Sequence, residues 1–153
     1  MSFKKAVNIS GLLVFIISMA VYYHSAERTG SLWDCGEFIL GAYKLQVVHP
    51  PGASLFLIMG RMFAFIAELF SDDPSSIAFA VNLMSSFVSA LAAVFFAWIA
   101  MIMGHIALVG HNKETDLGQN IALFFVGLVT GLASAFTTTM WFSAVEGEVY
   151  ATS

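Results

Sequence analysis

Charged side chains are scarce in this chain. Asp, Glu, Lys and Arg together make up 10% of its 153 residues, whereas hydrophobic residues make up 59%. An ordinary soluble domain carries about 25% charged residues. The mean hydropathy of +0.84 agrees with this imbalance. The composition therefore excludes a soluble globular domain and indicates an integral membrane protein.

Cysteine and basic clusters are also lacking. The one cysteine, Cys35, excludes an intramolecular disulfide and is typical of a small buried side chain. No run of Lys or Arg is present, so nucleic acid is not an expected partner. His24, His105 and His111 have no Cys or carboxylate at ligand spacing, so we expect no metal and no other cofactor. Gly-rich phosphate loops, G-x-S-x-G and HExxH are absent too, which argues against soluble nucleotide and hydrolase chemistry.

The chain contains long apolar segments. A helix needs roughly 20 apolar residues to cross a bilayer core, and three segments qualify, at about 6–23, 77–103 and 119–140. Lys4 and Lys5 precede the first segment. That segment is long for a signal peptide and is followed by a poor cleavage pattern, so we predict a retained signal anchor. The predicted fold is an all-α, integral membrane helical bundle.

A fourth apolar segment, 53–70, has two possible placements. It is almost long enough to cross, but Arg61 lies at its middle and Glu68 near its end. A charge at the bilayer centre costs roughly 2.5–3.5 kcal/mol, so we expect an amphipathic helix at the interface. Three spans then place the outer loop 24–76 and the tail 141–153 on one face of the membrane. A fourth span would separate the two acidic regions, and the Lys and Arg distribution favours three spans with the loop outside.

The outer loop is predicted to contain two short helices joined by a rigid corner. Ser31 suits an N-cap, with Asp34 three residues later in a pattern like a capping box. A helix at about 32–46 would place Asp34 and Glu37 on one face. The Pro-Pro pair after His49 forces this histidine out of helical geometry and suits the start of the next helix.

An acidic pair beside a membrane is a functional candidate, because charge is costly to keep there. Asp34 is a candidate general base, or an anchor for a cation or acceptor, although the helix dipole alone also favours a carboxylate at a helix start. Glu37 is either a second functional acid or an ordinary solvated residue. Trp33 is a candidate aromatic contact at the interface.

Two side chains after the acidic pair are candidates for binding an anion. His49 would bind a phosphate or a metal, or would simply mark the turn. Arg61 either extends to the interface or faces a polar cavity and contacts an anionic lipid head. The local sequence leaves both alternatives open.

Acids and aromatic residues recur after the third span. Glu146 and Tyr150 are four residues apart and would be neighbours on a helix, whereas Glu146 and Glu148 would share a face only in a strand. All three are candidates for substrate binding. Either acid is equally compatible with an ordinary solvated side chain.

Five motifs, in order along the chain, carry a resemblance to a known family. The chain resembles the protein O-mannosyltransferase-like membrane family at residues 33–38, 42–45, 49–53, 57–63 and 140–150. The first motif, Trp-Asp-Cys-Gly-Glu-Phe, is highly specific. Related enzymes carry two adjacent acids in the first loop, whereas here the acids are separated as Asp34-x-x-Glu37.

The resemblance implies a glycosyltransferase of the multi-spanning GT-C type. Such enzymes take a sugar, here expected to be mannose, from a polyprenyl-phosphate donor at the outer face of the bilayer. The expected acceptor is a Ser or Thr hydroxyl of an exported protein. The resemblance implies Asp34 as the base that takes the hydroxyl proton and Arg61 as a candidate cation for the leaving phosphate. Glu37 or Glu146 would orient hydroxyls, and no metal is implied.

The resemblance is to the N-terminal part of such an enzyme. The chain ends in a polar stretch without a closing helix, so we expect the rest of the enzyme to be absent and the fragment alone to be inactive. The expected location is a bacterial inner membrane, with the active site on the periplasmic face. A transporter or channel fragment and a non-catalytic membrane subunit are the alternatives. Because the charges cluster in loops, the transporter is less favoured.

Overall fold

The structure is a computed structural model, and it describes residues 2–31, 34–50, 52–110 and 114–147. Within these ranges the chain consists of α-helices and short connections without a strand, as predicted. The helices are α1 (Phe3–Ser25), α2 (Cys35–Lys44), α3 (Ser54–Glu68), α4 (Pro74–Leu108), α5 (Leu117–Ala135) and α6 (Thr138–Val145).

Three of these helices, α1, α4 and α5, are long and apolar enough to cross a membrane. This agrees with the predicted membrane bundle of three spans. Helix α4 has 35 residues and is therefore about 52 Å long, which exceeds a hydrocarbon core of about 30 Å. Helix α5 ends at Ala135, before the predicted limit near residue 140. The Thr137 hydroxyl donates to the Ser134 carbonyl oxygen at 2.9 Å where the helix ends.

The chain divides into two compact units, residues 1–20 with 90–137 and residues 21–89 with 138–153. The first unit packs glycines of α5 against larger side chains. A Cβ at Gly127 would lie 2.5 Å from Met101 Sδ, and one at Gly131 would lie 2.7 Å from Val14 Cγ2. Small residues that allow such close approach are typical of helix interfaces in membranes.

The second unit contains the outer loop with its candidate residues. Glycine again allows close packing, since a Cβ at Gly60 of α3 would lie 2.8 Å from Ala42 Cβ of α2. The buried core of this unit joins α2, α3, the turn between them and the start of α4, and its members are Phe38, Ala42, Val48, Phe56, Ala64, Ile77, Val81 and Met84. The two short helices of the loop are therefore a packed pair.

The beginnings of these two helices differ from the prediction. Helix α2 begins at Cys35, and its N-cap is Asp34, whose side chain caps no backbone group. The predicted capping box at Ser31 is wrong, because the Ser31 hydroxyl donates instead to Glu146. Helix α3 begins at Ser54, later than the Pro-Pro pair predicted to start it. The second proline, Pro51, lies outside the described residues.

Candidate catalytic site

The chain reverses its direction after α2. Leu45 adopts the left-handed conformation, with φ 50° and ψ 45°, and the Gln46 N–H donates to the Gly41 carbonyl oxygen at 3.0 Å. This bonding pattern ends a helix by satisfying one of its last carbonyls. Val48 then packs so tightly that a Cβ on Gly41 would lie 2.6 Å from Val48 Cγ1. The reversal brings His49 back to the first turn of α2.

Glu37 holds His49 at two points. The His49 backbone N–H donates to Glu37 Oε1 at 2.8 Å, and His49 Nδ1 lies 2.9 Å from Glu37 Oε2. One carboxylate therefore restrains both the backbone and the imidazole ring. The two residues are 12 positions apart in the sequence, so the contact depends on the reversal at Leu45.

Asp34 faces the other nitrogen of the same ring. Its Oδ2 atom lies 3.9 Å from His49 Nε2, which is too long for a direct hydrogen bond. The Asp34 side chain is 62% exposed, so its carboxylate is accessible to a substrate. Three predicted site residues, Asp34, Glu37 and His49, thus come together with ligand atoms within 4.8 Å of one another. We call them the His49 cluster.

Within the His49 cluster, the positive charge of His49 and the negative charge of Glu37 stabilise each other. The side-chain hydrogen bond with Glu37 raises the pKa of His49, and the negative charges of Glu37 and Asp34 act in the same direction. In turn, the hydrogen bonds from the His49 side chain and backbone lower the pKa of Glu37. Each shift favours the charged form of its group. An ionised carboxylate can only accept a hydrogen bond, so the ring proton facing Glu37 lies on Nδ1.

The His49 cluster has the donor set of a cation site. Two carboxylates and one imidazole are ligands that divalent cations accept. Both oxygens of Glu37 already accept a hydrogen bond from His49, and each keeps a second lone pair. All three side chains are also exposed. The geometry shows an imidazole held by Glu37, and the expected absence of a metal stays a prediction.

Arg61 lies elsewhere on the second unit. Its Nη1 atom is 3.1 Å from Glu68 Oε2, two turns further along α3, and its guanidinium carbon is 5.3 Å from the centre of the Tyr43 ring. The predicted alternatives were an extended side chain and a contact with a lipid head. The structure pairs this cation with an acid of its own helix, and both alternatives stay predictions.

Glu146 is held against the beginning of the outer loop. Its Oε2 atom accepts the Ser31 hydroxyl at 2.7 Å, and next to it the Glu27 N–H donates to the Val145 carbonyl oxygen at 2.9 Å. The loop and the tail therefore meet, although Glu146 does not contact the His49 cluster among the described residues. The other predicted residues of the site, Trp33, Glu148 and Tyr150, lie outside the described part of the chain.

Asn82 is a positioning residue that the sequence analysis missed. It is buried in α4, and its Nδ2 donates to the Glu27 and Thr29 carbonyl oxygens at 2.7 and 3.2 Å. Its Oδ1 accepts the Cys35 thiol at 3.8 Å, and a Cβ on Gly147 would lie 2.7 Å from that oxygen. The available signal was an asparagine in an apolar helix, because buried amides are almost always hydrogen-bonded.

A cleft runs along α2, the helix that carries Asp34 and Glu37. Its volume is about 660 Å³, within the range of ligand pockets. Most of its lining is apolar, and charged side chains of both signs lie among the lining residues. The lining includes Gly36, Leu40, Tyr43, Lys44, Asp72 and Asp73.

Comparison with known protein families identifies the family to which the chain belongs. The family described as "Protein O-mannosyl-transferase TMEM260 N-terminal domain" matches residues 34–153. The chain belongs to this family. The match begins at Asp34, so it includes every predicted site residue except Trp33. The resemblance found in the motifs is thereby confirmed for this TMEM260 N-terminal domain.

A curated relative extends the match to the first span. "Protein O-mannosyl-transferase tmem260" of Dictyostelium discoideum is 25% identical over 152 residues, which are 96% of this chain and 16% of that protein. The chain thus spans a small part of the length of this relative. No solved structure matches the chain.

Proposed function

We propose that this TMEM260-type domain is the N-terminal, active-site-bearing part of a GT-C membrane glycosyltransferase. The enzyme would move mannose from a polyprenyl-phosphate donor to Ser or Thr hydroxyls of an exported protein. The family and the name of the relative support the transferase class. The observation that carries the proposal is the exposed His49 cluster, which holds an accessible carboxylate at the end of a helix.

The chemistry needs a base and a stabilised leaving group. Asp34 accepts the proton of the acceptor hydroxyl while its oxygen forms a bond to the anomeric carbon of mannose. The bond from that carbon to the phosphate oxygen breaks, and its electron pair leaves with the lipid phosphate. Glu37 positions His49, and Glu146 is a candidate contact for a sugar or acceptor hydroxyl. No metal takes part in the proposed step.

Arg61 is the proposed cation that stabilises the leaving phosphate. Its ion pair with Glu68 must open before it can do so. The guanidinium would have to exchange Glu68, 3.1 Å away, for the phosphate. Arginine binds carboxylate and phosphate with the same planar geometry, so the exchange needs no new type of contact. In this proposal Glu68 keeps the charge compensated until the donor binds.

We propose that the site lies on the non-cytosolic face, which is the periplasmic face in a bacterial inner membrane. The Lys and Arg distribution supports this orientation. The contact between Ser31 and Glu146 supports a common face for the loop and the tail.

Sugar transfer by the full-length protein in membranes tests the function. With polyprenyl-phosphate mannose and an acceptor peptide, we expect transfer by the wild type and at least a 100-fold loss in Asp34→Asn, the range for a lost general base. Glu114→Gln, an exposed acid in a different loop, is the matched control. Full activity of Asp34→Asn would mean that a residue other than Asp34 is the base. A wild type inactive with several lipid-linked sugars would favour the transporter alternative.

A further inference from the structure

The two ring nitrogens of His49 have different surroundings. Nδ1 is bound to Glu37 at 2.9 Å. Nε2 faces Asp34 across 3.9 Å and has no closer polar partner among the described residues. The imidazole is thus oriented by one carboxylate and aimed at another. Nε2 and Oδ2 are too far apart for a direct hydrogen bond, and we call the space between them the gap.

The size of this gap fits one oxygen atom. A position about 2.8 Å from both Nε2 and Oδ2 exists when these atoms are 3.9 Å apart, and this is an ordinary hydrogen-bond length on each side. The chemistry of the two ends is complementary. Protonated Nε2 can only donate, and ionised Oδ2 can only accept. A group that fits must accept on one side and donate on the other, which a hydroxyl does.

From this geometry we propose that the gap between His49 Nε2 and Asp34 Oδ2 is the seat of the acceptor hydroxyl. The imidazolium N–H donates to the hydroxyl oxygen, and the hydroxyl proton points at Asp34. The inference rests on the proposed function and assigns His49 a substrate contact in place of a phosphate or metal. Glu37 is a positioning residue, because it touches only His49 and sets where Nε2 lies.

In this proposal, His49, which Glu37 holds in place, stabilises the attacking oxygen while Asp34 acts as the base. The hydroxyl proton moves to Asp34 as the oxygen attacks, and negative charge develops on that oxygen. A donor already aimed at the oxygen stabilises this charge without rearrangement. His49 must be protonated to donate from Nε2 while Nδ1 donates to Glu37. Among the described residues, the charged groups that face the ring are Glu37 of α2 and its N-cap Asp34, and both raise the pKa of His49.

The expected pH dependence follows from the protonation state. A histidine with a raised pKa is charged below that pKa, so transfer should fall as the pH rises through a value above the ordinary 6.5. In Glu37→Gln the largest cause of the raised pKa is removed. The alkaline fall should therefore move to lower pH. The opposite dependence, in which transfer rises over the same pH range, would mean that His49 is itself the base.

The experiment compares mannose transfer by the full-length wild type, Glu37→Gln and His49→Gln across pH, with KM measured for donor and acceptor peptide separately. We expect His49→Gln to raise the KM of the acceptor or lower its kcat/KM about 10-fold, because a neutral amide donor replaces the charge-assisted imidazolium donor. The KM of the donor should be unchanged. The alkaline fall should disappear, since a glutamine amide donates at every pH. His24→Gln and Glu114→Gln, exposed and outside the cluster, should keep the wild-type profile.

The outcomes separate this inference from the proposed function. A wild type that transfers mannose without an alkaline fall, or with a fall that Glu37→Gln leaves in place, overturns the seat and leaves the transferase standing. A change confined to the KM of the donor also overturns it. A wild type inactive at every pH overturns the proposed function and the seat together. The presence or absence of the alkaline fall is measured on the wild type, so a folding defect in a variant cannot affect that test.

Discussion

Asn82 is the residue that joins the outer loop to α4. Its amide satisfies two backbone carbonyls of the loop and one thiol of α2. Loop segments seldom find enough apolar surface to hold themselves in place, and a buried amide can fix one by directional bonds. Together with the buried core that joins α2, α3 and the start of α4, this side chain helps to position α2 and Asp34 at its N-cap.

We expect Asn82→Ala to loosen the beginning of the loop. The change leaves the Glu27 and Thr29 carbonyls without their donor, at a cost of about 2 kcal/mol, equivalent to roughly a 30-fold faster local opening. Hydrogen exchange of the peptide containing Glu27 measures this opening. Ser85→Ala is the matched control, because Ser85 is buried in the same helix and its hydroxyl has no hydrogen-bond partner among the described residues. Equal exchange in the two variants would contradict this role for Asn82.

Single residues of the site could be predicted from the sequence, but their contacts could not. Asp34, Glu37 and His49 each stood out by type and by position beside the membrane. The bonds between Glu37 and His49 need a non-glycine residue, Leu45, in the left-handed conformation, and no local rule predicts that. Ser31 was predicted to cap α2 from its spacing to Asp34, and its bond to Glu146, 115 positions away, leaves no sign in the local sequence.

Helix α3 is the element whose placement decides the topology. With 15 residues it is about 22 Å long, too short to cross a hydrocarbon core of about 30 Å alone. One face packs into the core of the second unit. The opposite face is apolar and exposed, and its members are Leu55, Ile58, Met62, Phe65, Ile66 and Leu69. This exposed apolar face is what a helix lying at the interface would turn towards lipid.

Depth measurements with spin labels distinguish an interfacial α3 from a spanning one. Leu55 and Leu69 are both exposed and about 21 Å apart along the helix axis. With α3 lying at the interface, nitroxides at the two positions should report depths within a few ångströms of each other. Ile9 and Tyr23 of α1, with the same separation, are the spanning control and should differ by most of that length. A similar difference in α3 would establish the fourth span.

Element types were more predictable than element ends. The three long apolar helices follow directly from the energy of inserting apolar residues into lipid. The start of α2 and the end of α5 depend on which partner each Ser or Thr hydroxyl finds, as at Ser31 and Thr137. Competition of this kind is decided by tertiary contacts, so the sequence alone cannot settle it.

At the scale of the molecule, we predict that the loop and the tail lie on one face of the membrane. The hydrogen bond from Glu27 to Val145 and the one from Ser31 to Glu146 cannot form across a bilayer. Two spans, α4 and α5, lie between these regions in the sequence, and an even number of crossings returns the chain to the same side. The contacts and the count of three long helices are therefore consistent.

Labelling of single cysteines from outside the cell checks this topology. In a Cys35→Ser background, cysteines at Thr29, Asp72 and Thr139, all exposed, should react with a membrane-impermeant maleimide in intact cells. A cysteine at Glu114, between α4 and α5, should react only after permeabilisation. With a fourth span, Thr29 and Glu114 would react together while Asp72 and Thr139 stayed protected.

The contact between Ser31 and Glu146 also has a consequence during synthesis of the protein. The two residues are 115 positions apart, and a ribosome adds about 5–20 residues per second. Ser31 therefore waits roughly 6–23 s for its partner after it is translated. During that time the beginning of the nascent loop lacks its contact with the tail, and α4 and α5 are still being synthesised. The beginning of the loop acquires its final hydrogen bonds only after α5 and the start of the tail have been synthesised.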